Sequence, residues 1–112
     1  MVREALLSSV DRKLLTEEAL GGYGRPAFGP IPTDTKYFNQ NLKQATTSRD
    51  LASSALDRAG WKLGDGGWRE RKIKTTTVPL ELTLSVPQAD FLTKTAEFLK
   101  KNWEGIGVKV NI

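Results

Sequence analysis

The run LELTLSVPQADFLTKTAEFLKKNWEGIGVKVNI, residues 80–112, decides the fold. Leu80, Leu82, Leu84 and Val86 alternate with Glu81, Thr83 and Ser85, the period of a strand with one buried face, and Pro87 stops it. Asp90 is placed to cap a helix whose Leu92, Ala96, Leu99 and Trp103 form one stripe, widened by Phe91 and Phe98, while Lys94, Glu97, Lys100 and Lys101 face water. Gly105 ends that helix, and Ile106 to Ile112 gives a last strand in which Val108 and Val110 alternate with Lys109 and Asn111. Strand, helix and strand with short joints make a right-handed crossover, so the two strands are expected to run parallel.

Working back towards the N-terminus, Trp68 to Ile73 reads as a short strand that leads through Thr75-Thr76-Thr77 and Pro79 into residues 80–86, a hairpin with a loose loop. Gly64-Asp65-Gly66-Gly67 is a turn. Before it, Thr47 followed by Asp50 has the form of a capping box, the cap falling to Thr47 or Ser48. Leu51, Ala52, Ala55, Leu56 and Ala59 then repeat at helical spacing, Gly60 stops the helix, and Trp61 folds back on its last turn. At the start of the chain Val2, Ala5, Leu6 and Val10 share one helix face, with Arg3, Glu4 and two serines on the other. Asp11 offers a cap to Arg12–Leu20, striped by Leu14, Leu15 and Ala19 and stopped by Gly21. The two runs are either one kinked helix or two.

Between these helices lies GGYGRPAFGPIPTD, residues 21–34, with four glycines and three prolines in fourteen residues. No regular element survives that density of breakers. A loop of this length inside a compact domain is usually functional or disordered, and Tyr23, Phe28 and Ile31 argue for docking onto something. Residues 36–46 continue as loop or ragged turn around Tyr37, Phe38 and Leu42.

Composition narrows the chemistry. The 112 residues hold 38% hydrophobic and 27% charged side chains, in the range of a folded domain, and no run of about 18 apolar residues that would span a membrane. With no cysteine and no histidine, a disulfide framework, a zinc finger, a thiol nucleophile and a Ser-His-Asp arrangement are excluded. No enzyme, cofactor or metal site is expected. Glu17 and Glu18 are adjacent on a helix and point apart, so they form no acid pair. The net charge of +4 is scattered from Arg3 to Lys109; only Arg69, Arg71, Lys72 and Lys74 cluster, and on a strand they read as a solvated face rather than a phosphate site. Gly21-Gly22-Tyr23-Gly24 fits the glycine-x-x-glycine of a KH loop, but Arg25-Pro26 follows where that fold needs a helix, so nucleic acid is not expected as a partner.

Taken in order, these motifs resemble the extracellular solute-binding proteins of family 5, the peptide- and nickel-type binding components of ATP-driven importers. Arg3, Ala5 and Leu6 with Asp11-Arg12 are similar to the family's arginine-alanine helix and aspartate-arginine pair. Gly22 to Ala27 with Pro30-Ile31-Pro32 is similar to its glycine-proline segment. Ala52, Leu56, Ala59, Gly60 and Trp61, then Leu80 to Leu84, then Ile106 to Val110, are similar to its closing helix and two later strands. Two departures stand out: Ser48-Arg49 replaces an aspartate-proline pair, and Thr75-Thr76-Thr77 looks longer than a tight hairpin turn.

The resemblance implies a mixed α/β (α+β) fold, part of a type II periplasmic-binding-protein-like lobe. Residues 1–112 would form one domain, a partial second lobe: helices over 1–20, the Gly/Pro loop over 21–46, a helix over 47–60, and hairpin plus β-α-β over 68–112 in a small mixed sheet. It implies a parent that captures oligopeptides or similar small solutes by lobe closure, without catalysis, in the periplasm or as a cell-surface lipoprotein, and that works with an ABC permease and ATPase. The aspartate that holds a peptide's amino group would lie beyond residue 112. Tyr23, Gly24, Arg25 and Phe28 are the candidate ligand contacts: glycine lets backbone approach, tyrosine offers a flat surface, and arginine pairs with a carboxylate. The chain begins inside a helix and stops inside a strand, so both ends read as cuts. The alternative is a stand-alone structural or partner-binding domain, whose exposed strand edges would pair with a second copy, and after it a basic nucleic-acid-binding module.

Overall fold

The structure, a computed structural model, describes residues 1–43 and 46–112. Two of the eleven residues read as loop or ragged turn, 44 and 45, lie outside the described residues. The elements are α1 (Val2–Ser8), α2 (Arg12–Leu20), α3 (Arg49–Arg58), β1 (Lys62–Leu63), β2 (Arg69–Ile73), β3 (Thr76–Pro79), β4 (Glu81–Thr83), α4 (Asp90–Glu104) and β5 (Lys109–Asn111). β4 and β5, which precede and follow α4 in the chain, pair in parallel, as the strand-helix-strand crossover implied. β1, β2 and β3 form an antiparallel sheet.

The helix boundaries follow their local chemistry. The first run is two helices, because Val10 and Asp11 leave the helical path between them. Asp11 Oδ1 accepts from the backbone N–H of Lys13 (3.0 Å) and Leu14 (3.1 Å), and Gly21 takes up a left-handed conformation, φ 60°, that stops α2. Ser48, not Thr47, caps α3: its Oγ accepts from Leu51 N at 3.2 Å. Thr47 instead donates its hydroxyl to Val10 O (3.4 Å), while Ser48 N donates to Ser8 O (2.8 Å), so the start of α3 is stitched to the end of α1. Gly60 adopts φ +86°, letting Trp61 N reach Leu56 O at 2.9 Å, and the indole packs against the core. Asp90 is not a cap; Ala89 occupies that position and Asp90 pairs with Lys94 one turn on, at 3.0 Å.

Several expected faces are rearranged. Phe91, Leu14 and Leu51 are exposed, whereas Ser9 and Asn102 are buried. Both of these side chains bond the preceding helical turn: Ser9 Oγ donates to Leu6 O (2.8 Å) and Asn102 Nδ2 to Phe98 O (2.8 Å). The hairpin closes between β2 and β3 and not onto residues 80–86, whose β4 pairs with β5 instead, and its loop is tight, not loose. Ile73 pairs with Thr76 across a two-residue turn, Lys74 taking φ 56°, because the β-branched Thr76 and Thr77 lie in the strand. β1 has no counterpart among the sequence expectations, since two residues are too few to show a period.

The two sheets meet at one junction. Arg69 N donates to Gly107 O (2.7 Å), Leu80 N to Arg69 O (2.8 Å) and Lys109 N to Leu80 O (3.0 Å). The main core lies against this junction: Ala5, Ala52, Leu56, Leu80, Ile106, Val108 and Val110, with Trp103 at its side and the indole N–H donating to Leu6 O at 3.1 Å. At its centre is Arg69, which the sequence placed on a solvated face and which is 1% exposed. Its Nε donates to Ile106 O (2.6 Å), Nη1 to Trp61 O (2.7 Å) and Asp57 Oδ1 (2.8 Å), and Nη2 to Ser53 Oγ. Alternation misled here because α3 and the 105–108 turn cover one face of β2, and only a guanidinium satisfies all four acceptors. The result is a slab of 54 × 34 × 19 Å with a radius of gyration of 16.1 Å. A compact chain of this length would have about 13 Å.

The junction can be tested at two points. A Cβ on Gly107 (φ +85°) would lie 2.7 Å from Leu63 Cδ2 and 3.0 Å from Arg69 Cγ, whereas Gly67 (φ +79°) faces open space. Both alanine substitutions carry the left-handed cost of about 1 kcal/mol. Gly107→Ala adds an overlap that the anchored Arg69 cannot relieve, so urea unfolding should show it about 1 kcal/mol or more below Gly67→Ala. Equal losses would remove the steric constraint.

The hydrogen bond from Arg69 holds the Asp57 carboxyl below its ordinary range, and those from Asn111 and then Lys109 do the same for Glu81. A depressed folded value means that the unfolded chain binds the extra protons, so this stabilisation is present above the ordinary carboxylate range and disappears as pH falls through the folded values. Thermal midpoints should therefore drop below about pH 4. The decline should be shallower in the double variant Asp57→Asn, Glu81→Gln; identical acid limbs would contradict the assignment.

Candidate ligand cleft

Gly21 ends α2 and turns the chain back over it. Gly22 N donates to Thr16 O (3.1 Å) and Tyr23 N to Leu20 O (3.0 Å). Gly24 sits at φ +154°, where a Cβ would come 3.3 Å from Leu20 Cδ1, so the backbone hugs the helix end. Farther along, Arg12 Nη1 donates to Ala27 O at 3.4 Å, anchoring the loop to the first turn of α2. The distal part is a string of single turns: Thr35 N to Pro32 O (3.2 Å), Phe38 N to Thr35 O (3.2 Å) and Leu42 N to Asn39 O (3.2 Å). Phe28 and Phe38 meet edge to face with ring centres 6.2 Å apart, a small apolar clasp inside the loop.

Between α2 and this loop lies an open cleft of about 450 Å³. Lys13, Thr16 and Glu17 line it from the helix; Gly24, Arg25, Phe28 and Thr33 line it from the loop. Three of the four expected contact residues, Gly24, Arg25 and Phe28, thus come together on one cavity. Tyr23 does not line it and is 91% exposed. Arg25 Nη2 pairs with Asp34 Oδ2 at 2.9 Å, bridging the two ends of the Gly/Pro stretch. Tyr37 is also exposed, with Lys36 Nζ 5.8 Å from its ring centre.

The helix side of the cleft was missed. Lys13, Thr16 and Glu17 stand at i, i+3 and i+4, the spacing of one helix face, and that spacing was available from the sequence. What was lacking was the fold-back of the loop. Glu18, adjacent in sequence, faces a separate hollow beside Lys94 and Glu97, so the two glutamates do point apart. Among the described residues no group of three or more His, Cys, Asp or Glu side chains is placed to hold a metal ion, and no helix is long and apolar enough to cross a membrane.

The fold is thus a mixed α/β platform that carries an irregular loop over an open cleft, with glycine backbone, an aromatic ring and both signs of charge on its walls. The chain belongs to the bacterial extracellular solute-binding proteins, family 5, whose middle-region model matches residues 1–112. It is 33% identical over 113 aligned residues to the nickel-binding periplasmic protein of Escherichia coli K12, an alignment covering 99% of this chain and 21% of that protein. It is 43% identical over 72 residues to Protein XP55 of Streptomyces lividans, covering 62% of this chain and 13% of that one. The oligopeptide-binding protein of Thermus thermophilus, solved with a pentapeptide, superimposes with a TM-score of 0.87 at 25% identity over 99% of this chain and 19% of its own. The chain therefore spans about a fifth or less of the length of the curated relatives it matches. The fold is of the type II periplasmic-binding-protein kind, as the order of motifs implied, and the family is one of binding proteins.

Proposed function

We propose that this chain forms part of the second lobe of a solute-binding protein that captures oligopeptides or similar small solutes outside the cytoplasmic membrane, in the periplasm or at the cell surface. Lobe closure over the ligand holds it, no bond is made or broken, and the loaded protein delivers it to an ABC permease and its ATPase. The family match across the whole chain carries the reading. Peptide is favoured over nickel by the chemistry of the cleft. Glycine backbone, Phe28 and opposite charges on its walls suit a peptide. On this reading Gly24, Arg25 and Phe28 contact the solute, and Tyr23, exposed beside the cleft mouth, meets it or the facing lobe on closure.

A second reading is supported by the strand edges. Among the described residues β3 pairs only with β2, and β4 and β5 pair only with each other, leaving backbone groups open to a second copy of the chain. Calorimetric titration of the full-length protein with tri- to pentapeptides and with Ni²⁺ separates the cases. Peptide binding should be saturable and should weaken about tenfold in Phe28→Ala, a loss of about 1.4 kcal/mol. Binding of Ni²⁺ alone would overturn the peptide assignment. Absence of any solute binding, together with a doubled sedimentation mass of the 112-residue chain, would favour the second reading.

A further inference from the structure

The tip of the hairpin formed by β2 and β3 carries charge that the fold does not use. Residues 71–77, Arg-Lys-Ile-Lys-Thr-Thr-Thr, are all exposed and contain three cations and no acid. Arg71 and Lys72 line a hollow of about 420 Å³ together with Lys62 of β1 and Thr77 of β3. Among the described residues no carboxylate lies within 4.0 Å of Lys62, Arg71, Lys72 or Lys74. Glu70, the one acid on that hollow, has its carboxyl group against Gly64, 2.8–3.0 Å from where a Cβ would stand.

Two further features set this tip apart from an ordinary solvated strand face. Ile73, half exposed, stands between Lys72 and Lys74. Lys74 holds a left-handed conformation, φ 56°, that asparagine or glycine takes at less cost, so the turn keeps a cation where stability alone favours another residue.

We infer that this tip is a membrane-docking surface whose partner is a bilayer containing anionic phospholipid. Cations on long flexible stems suit a fluid array of lipid phosphates, each contributing about fivefold to partitioning near such a surface. Ile73 enters the acyl boundary between them, and the threonine hydroxyls add donors to phosphate oxygens. No aromatic ring stands in residues 71–77 to stack on a base, which disfavours nucleic acid. The inference goes beyond the solute-binding reading and uses none of the cleft residues.

The test uses the full-length polypeptide without lipid modification, sedimented with vesicles of phosphatidylcholine alone or with about a third phosphatidylglycerol. Binding should require the anionic lipid and weaken as salt rises. The double variant Lys72→Gln, Lys74→Asn should lower partitioning about 25-fold, with a thermal midpoint no lower than the wild type's because asparagine suits the turn. Ile73→Ser should lower partitioning about fivefold without altering the salt dependence. Absence of binding to the anionic vesicles, equal binding to both kinds, or undiminished binding by the double variant overturns the docking surface. So does displacement by free phosphate at constant ionic strength, the mark of a discrete anion site, or a loss seen only with vesicles that carry the permease, the mark of an acidic protein partner. The double variant leaves the cleft untouched, so its titration with peptides tests the solute-binding reading separately from the vesicle result.

Discussion

The structure depends on one buried guanidinium. Arg69 lies at the end of β2, where the antiparallel sheet, α3, the turn after α3 and the turn after α4 converge, and its side chain donates to one acceptor on each of the last two and to two on α3. A guanidinium taken out of water without partners would be strongly unfavourable, and here every donating nitrogen is matched. Asp57 remains half exposed, so the charge it balances is buried while its own is not. The backbone of the same residue accepts from Leu80 and donates to Gly107, the bonds by which the two ladders become one platform. Gly107 is glycine because any larger residue would press on this side chain.

The cleft inherits its position from that platform at one remove. The junction fixes α4 through β5, α2 packs on α4, and the capped and stopped ends of α2 determine where the Gly/Pro loop leaves and how it returns. Past that point the described residues of the loop show single turns, one aromatic contact, one anchoring bond from Arg12 and one solvent-exposed ion pair. A rigid base under a loop held by weak, exchangeable contacts is what a protein needs if a solute is to replace some of those contacts with its own.

Most of this was legible where the signal was local. Asp11 and Gly21 bracket α2 by cap and left-handed stop, Gly60 and Trp61 close α3, and the alternation of residues 80–86 and 108–110 gives the parallel pair. Breaker density located the loop and with it Gly24, Arg25 and Phe28. What stayed hidden was set by distant partners. Arg69 sits in a run of basic residues and looks solvated until α3 and residue 106 are brought over it. Phe91 fits an apolar stripe yet is half exposed, while Asn102 fits none and is buried, its amide bonding the preceding turn. Lys13 and Glu17 became cleft residues only through the fold-back of the loop, and Tyr23, the most conspicuous aromatic, fell outside the cavity.

The central claim is that Arg69 holds the platform together, and the most direct measurement is the urea unfolding free energy of Arg69→Met beside the unsubstituted chain. Methionine keeps the apolar stem and removes every donor, stranding Ile106 O, Trp61 O, Ser53 Oγ and Asp57 Oδ1. A loss of about 3–5 kcal/mol, or failure to fold, is the predicted result. A loss under about 1 kcal/mol would mean that the apolar core sustains the junction alone and would contradict the account.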